Sequence, residues 1–186
     1  ADVALTLPVN DGDDGEVLQT NGSGALSWGS PGTILQVQST TLAVPFEQTF
    51  NLGTPTAAQM STNITPSSTS SKIYITYTAN CGSGGGGHYF YAIIYRGGSP
   101  LTAANGTAAG SRISCNATAF TDAVQQFGVV AGSYLDSPNS TSQQTYDIRF
   151  TMNGTETFYL NQTNSDTNNN TYARASSTLT LMEVAG

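Results

Sequence analysis

Apolar and polar residues alternate with a period of two through most of this chain, and helical spacing is hard to find. From Lys72 to Thr78, the side chains of Ile73, Ile75 and Tyr77 fall on one face, with Lys72, Tyr74, Thr76 and Thr78 on the other. Successive side chains of a strand point to opposite faces, so this spacing predicts a half-buried strand. Thr145 to Met152 repeats it, with Ile148, Phe150 and Met152 inward and Thr145, Asp147, Arg149 and Thr151 outward. Thr155 to Asn161 is expected to follow as its hairpin partner across the turn dipeptide Asn153-Gly154. His88 to Arg96 is apolar on both faces, as a central strand would be, and Thr178 to Val184 closes the chain. Gly and Pro fall between these segments at the spacing of a sandwich or jelly roll. The predicted fold is all-β, an antiparallel β-sandwich.

A shorter pattern stands at the front. Val17 to Thr20 and Ala25 to Trp28 flank Asn21-Gly22-Ser23-Gly24, where Asn and Gly supply the positive φ angles of a tight reversal. A lone two-stranded ribbon is marginal in water and buries nothing of its own. Leu5, Leu7, Val17, Leu18, Leu26 and Trp28 are therefore expected to meet identical ribbons or a neighbouring domain. Ser30-Pro31-Gly32 punctuates the chain, dividing it into a ribbon, residues 1–30, and a head domain, residues 31–186. The last strand also asks for cover: Leu179 and Leu181 point one way, Thr180, Met182 and Val184 the other. Met182 and Val184 would meet their copies at the axis of a homotrimer; in a monomeric sandwich the strand would simply be central. The opening Ala1-Asp2-Val3-Ala4-Leu5 carries no signal-peptide pattern and starts in mid-pattern, so the C-terminal end of a longer chain is expected.

Two segments echo each other. Pro66-Ser67-Ser68-Thr69-Ser70 and Pro138-Asn139-Ser140-Thr141-Ser142 both lead into long alternating strands. Recurrent hydroxyl-rich turn chemistry explains the echo, and so would a pseudo-repeat at the same end of two sheets.

Charge narrows the partners. Charged residues make up 9% of the 186 residues, against about 25% in an average soluble protein. Lys72, Arg96, Arg112, Arg149 and Arg174 are scattered and the net charge is −7, so neither nucleic acid nor an anionic membrane surface is expected as a partner. No apolar run approaches the length of a membrane-spanning helix, and membrane insertion is not expected. Cys81 and Cys115 could form one disulfide or remain two thiols.

Catalytic signals are thin. Gly84-Gly85-Gly86-Gly87 precedes the single histidine, His88, but a phosphate-cradling loop needs a following Lys and a helix. A zinc site would need further ligands, although three copies of His88 could meet on a trimer axis. The acidic turn Asp11-Gly12-Asp13-Asp14-Gly15-Glu16 lacks the spaced ligands of a calcium loop. No elbow or triad surrounds a serine, and the scattered carboxylates form no recognisable glycosidase pair. Neither enzymatic activity, nor a cofactor, nor a metal is expected. Tyrosine, by contrast, is abundant, and with Asn and Ser it offers rigid contact area plus adaptable hydrogen bonds. The long polar stretch from Asn161 to Thr171 is the best candidate contact loop. Its residues Asn161, Asn164, Asp166, Asn168, Asn169 and Asn170, with His88 and Tyr89, are the candidate receptor contacts. Asn-x-Ser/Thr triplets begin at Asn21, Asn63, Asn105, Asn116, Asn139, Asn153, Asn161 and Asn169. They allow either glycosylation of a secreted protein or ordinary turn chemistry.

Leu5-Thr6-Leu7-Pro8 followed by Val17-Leu18-Gln19-Thr20-Asn21-Gly22-Ser23-Gly24-Ala25-Leu26-Ser27-Trp28 resembles a short unit that recurs in bacteriophage tail-fibre and related virion fibre proteins. Ile64 through Ile75, Leu135 through Ile148 and Tyr172 through Val184 resemble a C-terminal β domain of fibre and structural proteins of marine tailed phages, including cyanophages. Together the resemblances touch about half the chain and consist of turns and strand edges rather than catalytic chemistry. They imply one chain of a homotrimeric fibre, assembled in the host cytoplasm and residing in the virion with other virion proteins. Its head would resemble the trimeric jelly rolls of the tumour-necrosis-factor and C1q class and would touch a host-surface glycan or protein. A head or neck fibre without a receptor role, and a secreted C1q-like binding module, are the alternatives.

Overall fold

The computed structural model describes residues 4–29, 34–50, 55 and 59–186. It holds thirteen strands: β1 Val17–Thr20, β2 Leu26–Gly29, β3 Ile34–Leu42, β4 Phe46–Thr49, β5 Met60–Ile64, β6 Lys72–Ser83, β7 His88–Arg96, β8 Ser99–Pro100, β9 Ala117–Thr121, β10 Gly128–Asp136, β11 Gln144–Met152, β12 Thr157–Leu160 and β13 Ser177–Val184. Alternation sorts the side chains of β5, β6 and β13 between the core and the outer face, whereas β11 is covered on both faces, its outward Asp147 and Thr151 being buried as well. In β6, Ile73, Ile75, Tyr77, Ala79 and Cys81 are all buried, as the period-two reading requires.

Two antiparallel sheets face each other. The larger runs β3-β13-β6-β12-β4, with β10 on the other edge of β6, and the smaller runs β5-β11-β7-β8, with β9 also on β7. The chain is an all-β antiparallel sandwich. β13 is central in the larger sheet: Leu179 and Leu181 are fully buried, while Met182 and Val184 lie half-buried on the outer face. Cross-strand pairing there makes an apolar row of Val37, Met182, Tyr74 and Leu135, with Val37 53% and Leu135 45% exposed.

The expected hairpin across Asn153-Gly154 does not form. β12 pairs with β6 and β4 of the larger sheet, whereas β11 pairs with β5 and β7 of the smaller one. Residues 153–156 thus carry the chain from one sheet to the other. The reason is burial: Phe158 and Leu160 are fully enclosed, and the Phe158 ring stacks on Phe150 with centroids 5.3 Å apart. A hairpin across Asn153-Gly154 would set Phe158 opposite Arg149, on the outer face of the smaller sheet and away from Phe150.

The front segment forms the expected hairpin of β1 and β2, the second strand standing one residue later than its predicted span, with Leu18 opposite Trp28 and Thr20 opposite Leu26. It is more than a two-stranded ribbon. Thr6 pairs in parallel with Ala25, and the Trp28 indole N–H donates to Asn10 O at 2.8 Å. Gly12, at φ +75°, lies on the indole so closely that a Cβ would stand 2.6 Å from the ring. Trp28 is therefore seated within its own chain, which corrects the expectation that the ribbon buries nothing. Leu5, Leu7, Val17 and Leu18 stay exposed and Leu26 half-buried. Pro31 and Gly32, where the domain boundary is expected, lie outside the described residues.

Cys81 is buried and Cys115 half-buried, and both are thiols. The echoing turns 66–71 and 138–143 do sit at the same end of the two sheets, as strand starts β6 and β11. Asp136 ties that end together: its carboxylate accepts from Arg96 Nη1 and from the Tyr146 hydroxyl, each at 2.6 Å.

Candidate functional site

The two ends of the sandwich differ. β3 begins with Ile34 opposite Val184 and Lys72, so the head is entered at the end where β6 starts. At the opposite end, three connections gather: 84–87 between β6 and β7, 122–127 between β9 and β10, and 153–156 between β11 and β12. They are laced together by backbone bonds, Gly84 N–H to Thr157 O at 2.8 Å and Gly87 N–H to Thr121 O at 3.0 Å. Gly86 approaches Asp122 O so closely that a Cβ would stand 2.5 Å from it, which is why this glycine run suits the place.

His88 is half-buried in this lattice. Its Nδ1 lies 3.3 Å from Asn153 Oδ1, and its ring fills the space where a Gly154 Cβ would point, 2.7 Å from His88 Cε1. It shapes the loop junction. Tyr89 instead projects, 45% exposed, with its backbone N–H capped by Asn153 Oδ1 at 2.9 Å. Tyr91, one of the abundant tyrosines, and Phe120, which the sequence reading did not single out, join it. The Tyr89 ring lies 4.7 Å from Phe120, itself 47% exposed, and 6.3 Å from Tyr91, centroid to centroid. The pairing Tyr89↔Phe120 across β7 and β9 creates this patch. An outward phenylalanine on a strand of small residues, Ala117-Thr118-Ala119-Phe120-Thr121, was the signal available.

The Asn161–Thr171 segment divides in two. Asn161, Gln162 and Thr163 are buried, so Asn161 is not a contact residue. It sits at φ +65° on the seam where β12 ends and β13 begins beside β6. Its Nδ2 donates to Leu42 O at 2.7 Å, its Oδ1 accepts from Ser177 Oγ at 2.5 Å, and its N–H donates to Asn80 O at 2.8 Å. Asn is suited to that left-handed backbone and leaves no polar atom of the seam unmatched. Asn161→Ala is expected to lower stability by about 2 kcal/mol, whereas Asn168→Ala should change it by less than about 0.5 kcal/mol, in urea unfolding of the two variants.

Beyond the root the loop is open. Asp166 accepts from Arg174 Nε at 2.8 Å and is also bonded to Arg174 Nη2. Those hydrogen bonds hold the Asp166 carboxyl below its ordinary range. Asp166, Asn168, Asn169, Tyr172 and Arg174 line a hollow of about 280 Å³, and Asn170 is exposed beside it. Asn164 is half-buried, its N–H 3.4 Å from Val124 O, and Gln125 Nε2 reaches the Tyr172 hydroxyl at 3.3 Å. Through residues 124 and 125 the loop joins the end that carries His88 and Tyr89. The candidate contacts are thus brought to one end, except Asn161.

The eight asparagines of the Asn-x-Ser/Thr triplets each make a side-chain hydrogen bond within the chain. In Asn105, Asn116, Asn139 and Asn161 the donor is Nδ2, the atom a glycan would occupy. Among the described residues no group of three or more His, Cys, Asp or Glu side chains is placed to hold a metal ion.

No family model and no curated protein matches the sequence. Among solved structures, the infectious bursal disease virus VP2 subviral particle aligns at 11% identity over 86% of this chain, with a TM-score of 0.41. The infectious bursal disease virus Gt strain structure aligns at 11% identity over 87% of this chain, with a TM-score of 0.40. The chain spans 40% of the length of each of those chains.

Proposed function

We propose that this chain is the terminal part of a homotrimeric fibre on a tailed-phage virion, with a β-sandwich head that contacts the host surface. The observation that carries the reading is the polarity of the head. The chain enters at one end beside the apolar row Val37, Met182, Tyr74 and Leu135, and the aromatic patch and open polar loop lie at the other. An outward row of that kind on a central strand gains most by meeting copies of itself, and three copies would place three loop clusters at one tip. The resemblance of residues 5–28 to fibre units supports the same assignment.

Sedimentation equilibrium of the full chain at micromolar concentration is expected to give a trimer, and Met182→Glu should dissociate it while the β-sheet circular dichroism persists. A well-folded monomer for the native sequence would overturn the fibre reading. For the receptor role, the loop should be shortened between residues 167 and 171, leaving the buried root intact. If such trimers compete with the virus for cells as well as the native protein does, the head is a structural fibre part without a receptor role.

A further inference from the structure

A cleft of about 480 Å³ opens on the outer face of the smaller sheet, beneath the segment that joins β8 to β9. Ile93 and Tyr95 of β7 form its floor, and Pro100, Thr102, Thr107 and Ser114 its walls. Two asparagines hold the walls in place. Asn105 accepts from Ile94 N–H at 3.1 Å and donates to Leu101 O at 2.9 Å. Asn116 donates to Ala104 O at 2.8 Å and accepts from the Tyr77 hydroxyl at 2.9 Å. Gly106 N–H closes the neck on Cys115 O at 2.9 Å. The cavity is thus preformed, and a ligand would not have to order it.

None of the nine residues lining the cleft is charged. Arg149 lies with its guanidinium 4.2 Å over the Tyr95 ring and is held there by Asp147 at 2.6 Å. Its charge is answered within the fold, and among its own lining residues the cleft offers an anionic ligand no counter-ion. A purely aliphatic ligand would strip water from the Thr102, Thr107 and Ser114 hydroxyls without replacing their hydrogen bonds. A pyranose ring meets both demands, setting its C–H face on exposed Pro100 above the largely buried Ile93 and Tyr95 floor and its hydroxyls on the threonines and serine.

We propose that this cleft binds a neutral sugar unit of a host-surface polysaccharide. The proposal rests on the host-attachment reading and assigns its substrate class. The cleft lies towards the end where the chain enters, and the same face of β7 runs from Tyr95 through Tyr91 to the Tyr89–Phe120 patch at the other end. At about 3.3 Å per residue the row is about 20 Å long, room for several sugar units beyond the cleft.

The full chain should be titrated by saturation-transfer NMR with maltotetraose, cellotetraose, chitotetraose and a galactan tetramer, beside sialyllactose and tetragalacturonate. At least one neutral oligosaccharide is expected to bind with a Kd of about 1 mM or tighter, and the acidic ones at least about tenfold more weakly. Ala108→Trp, an exposed change at the rim, should weaken that binding at least about tenfold with an unchanged melting temperature. Tyr91→Ala should weaken binding of the tetramer but not of the corresponding disaccharide. Absence of neutral binding at about 10 mM, equal affinity for the acidic sugars, or indifference to Ala108→Trp would each overturn the proposal. A chain that binds sugar but sediments as a monomer would keep the cleft and discard the fibre. A trimer that binds no sugar would do the reverse.

Discussion

Phe158→Ala is expected to lower the stability of the head by about 4 kcal/mol, the largest single effect of any substitution considered for this fold. Phe158 belongs to β12 in the larger sheet, yet its ring reaches across the core. Its centroid lies 5.5 Å from that of Phe50, 5.9 Å from Phe90 and 5.3 Å from Phe150. Phe90 and Phe150 stand on β7 and β11, so one ring joins the two sheets. Truncation leaves a cavity that rigid strands on both sides cannot close, and three rings lose a neighbour. Phe158→Leu keeps most of the volume and should lose only about 1–2 kcal/mol. Urea unfolding at matched protein concentration distinguishes the cases. A loss below about 1 kcal/mol for the alanine variant would show that the sheets are held mainly elsewhere.

Acid should destabilise the head through Glu183. This carboxylate is fully buried on the inward face of β13, in phase with Leu179 and Leu181, at the end where the chain enters. Burial alone would raise its pKa. Hydrogen bonds from Ser67 Oγ and N–H, each 2.6 Å to Oε1, and from Gln36 Nε2, 2.6 Å to Oε2, outweigh that and hold it at about 2. A carboxyl whose folded pKa lies below its unfolded value of 4.5 stabilises the fold above pH 4.5. That contribution is lost as the pH falls from 4.5 towards about 2. Allowing for solvent near the turn, it amounts to about 2–3 kcal/mol. Thermal melts of the native protein should therefore fall steeply over that interval. Glu183→Gln should be about 3 kcal/mol less stable at neutral pH, because the Ser67 and Gln36 donors lose a charged acceptor. Its acid slope should be correspondingly shallower. Equal acid slopes for both proteins would show that another carboxylate governs the transition.

Glu183 also illustrates what alternation leaves ambiguous. A glutamate two residues after Leu181 and four after Leu179 falls on the inward face, and the pattern alone says that it must be buried. What makes burial tolerable is the Pro66–Ser71 turn, more than a hundred residues distant, folding over it. Nothing local in either segment announces the other. The expected hairpin of β11 and β12 failed for a related reason. Asn153-Gly154 is a good turn dipeptide, but turn chemistry sets a reversal of direction without specifying which sheet the chain joins next. The destination was decided by where Phe158 and Leu160 could be enclosed.

The candidate contacts divide along the same line. The polar stretch after β12 was legible as a loop, yet Asn161 read no differently from Asn168 or Asn169. Only the seam between β12 and β13, which places Leu42, Asn80 and Ser177 around one side chain, makes Asn161 a buried pin. Phe120 escaped notice because a patch exists only when β9 lies beside β7, and strand order is a long-range property.

By itself the sequence determined the all-β class, the position and inward face of β6, β11 and β13, and the tight turn of the front ribbon. Each follows from side-chain periodicity or backbone preference, which act over a few residues. The tertiary structure alone decided the crossover at 153–156, the seating of Trp28 on Gly12, the burial of Asn161, the donors that gather around Glu183, and the walls of the Tyr95 cleft. Those features depend on hydrogen bonds and packing between segments far apart in the chain. Their energies are realised only once both partners have been brought together, so no local pattern encodes them.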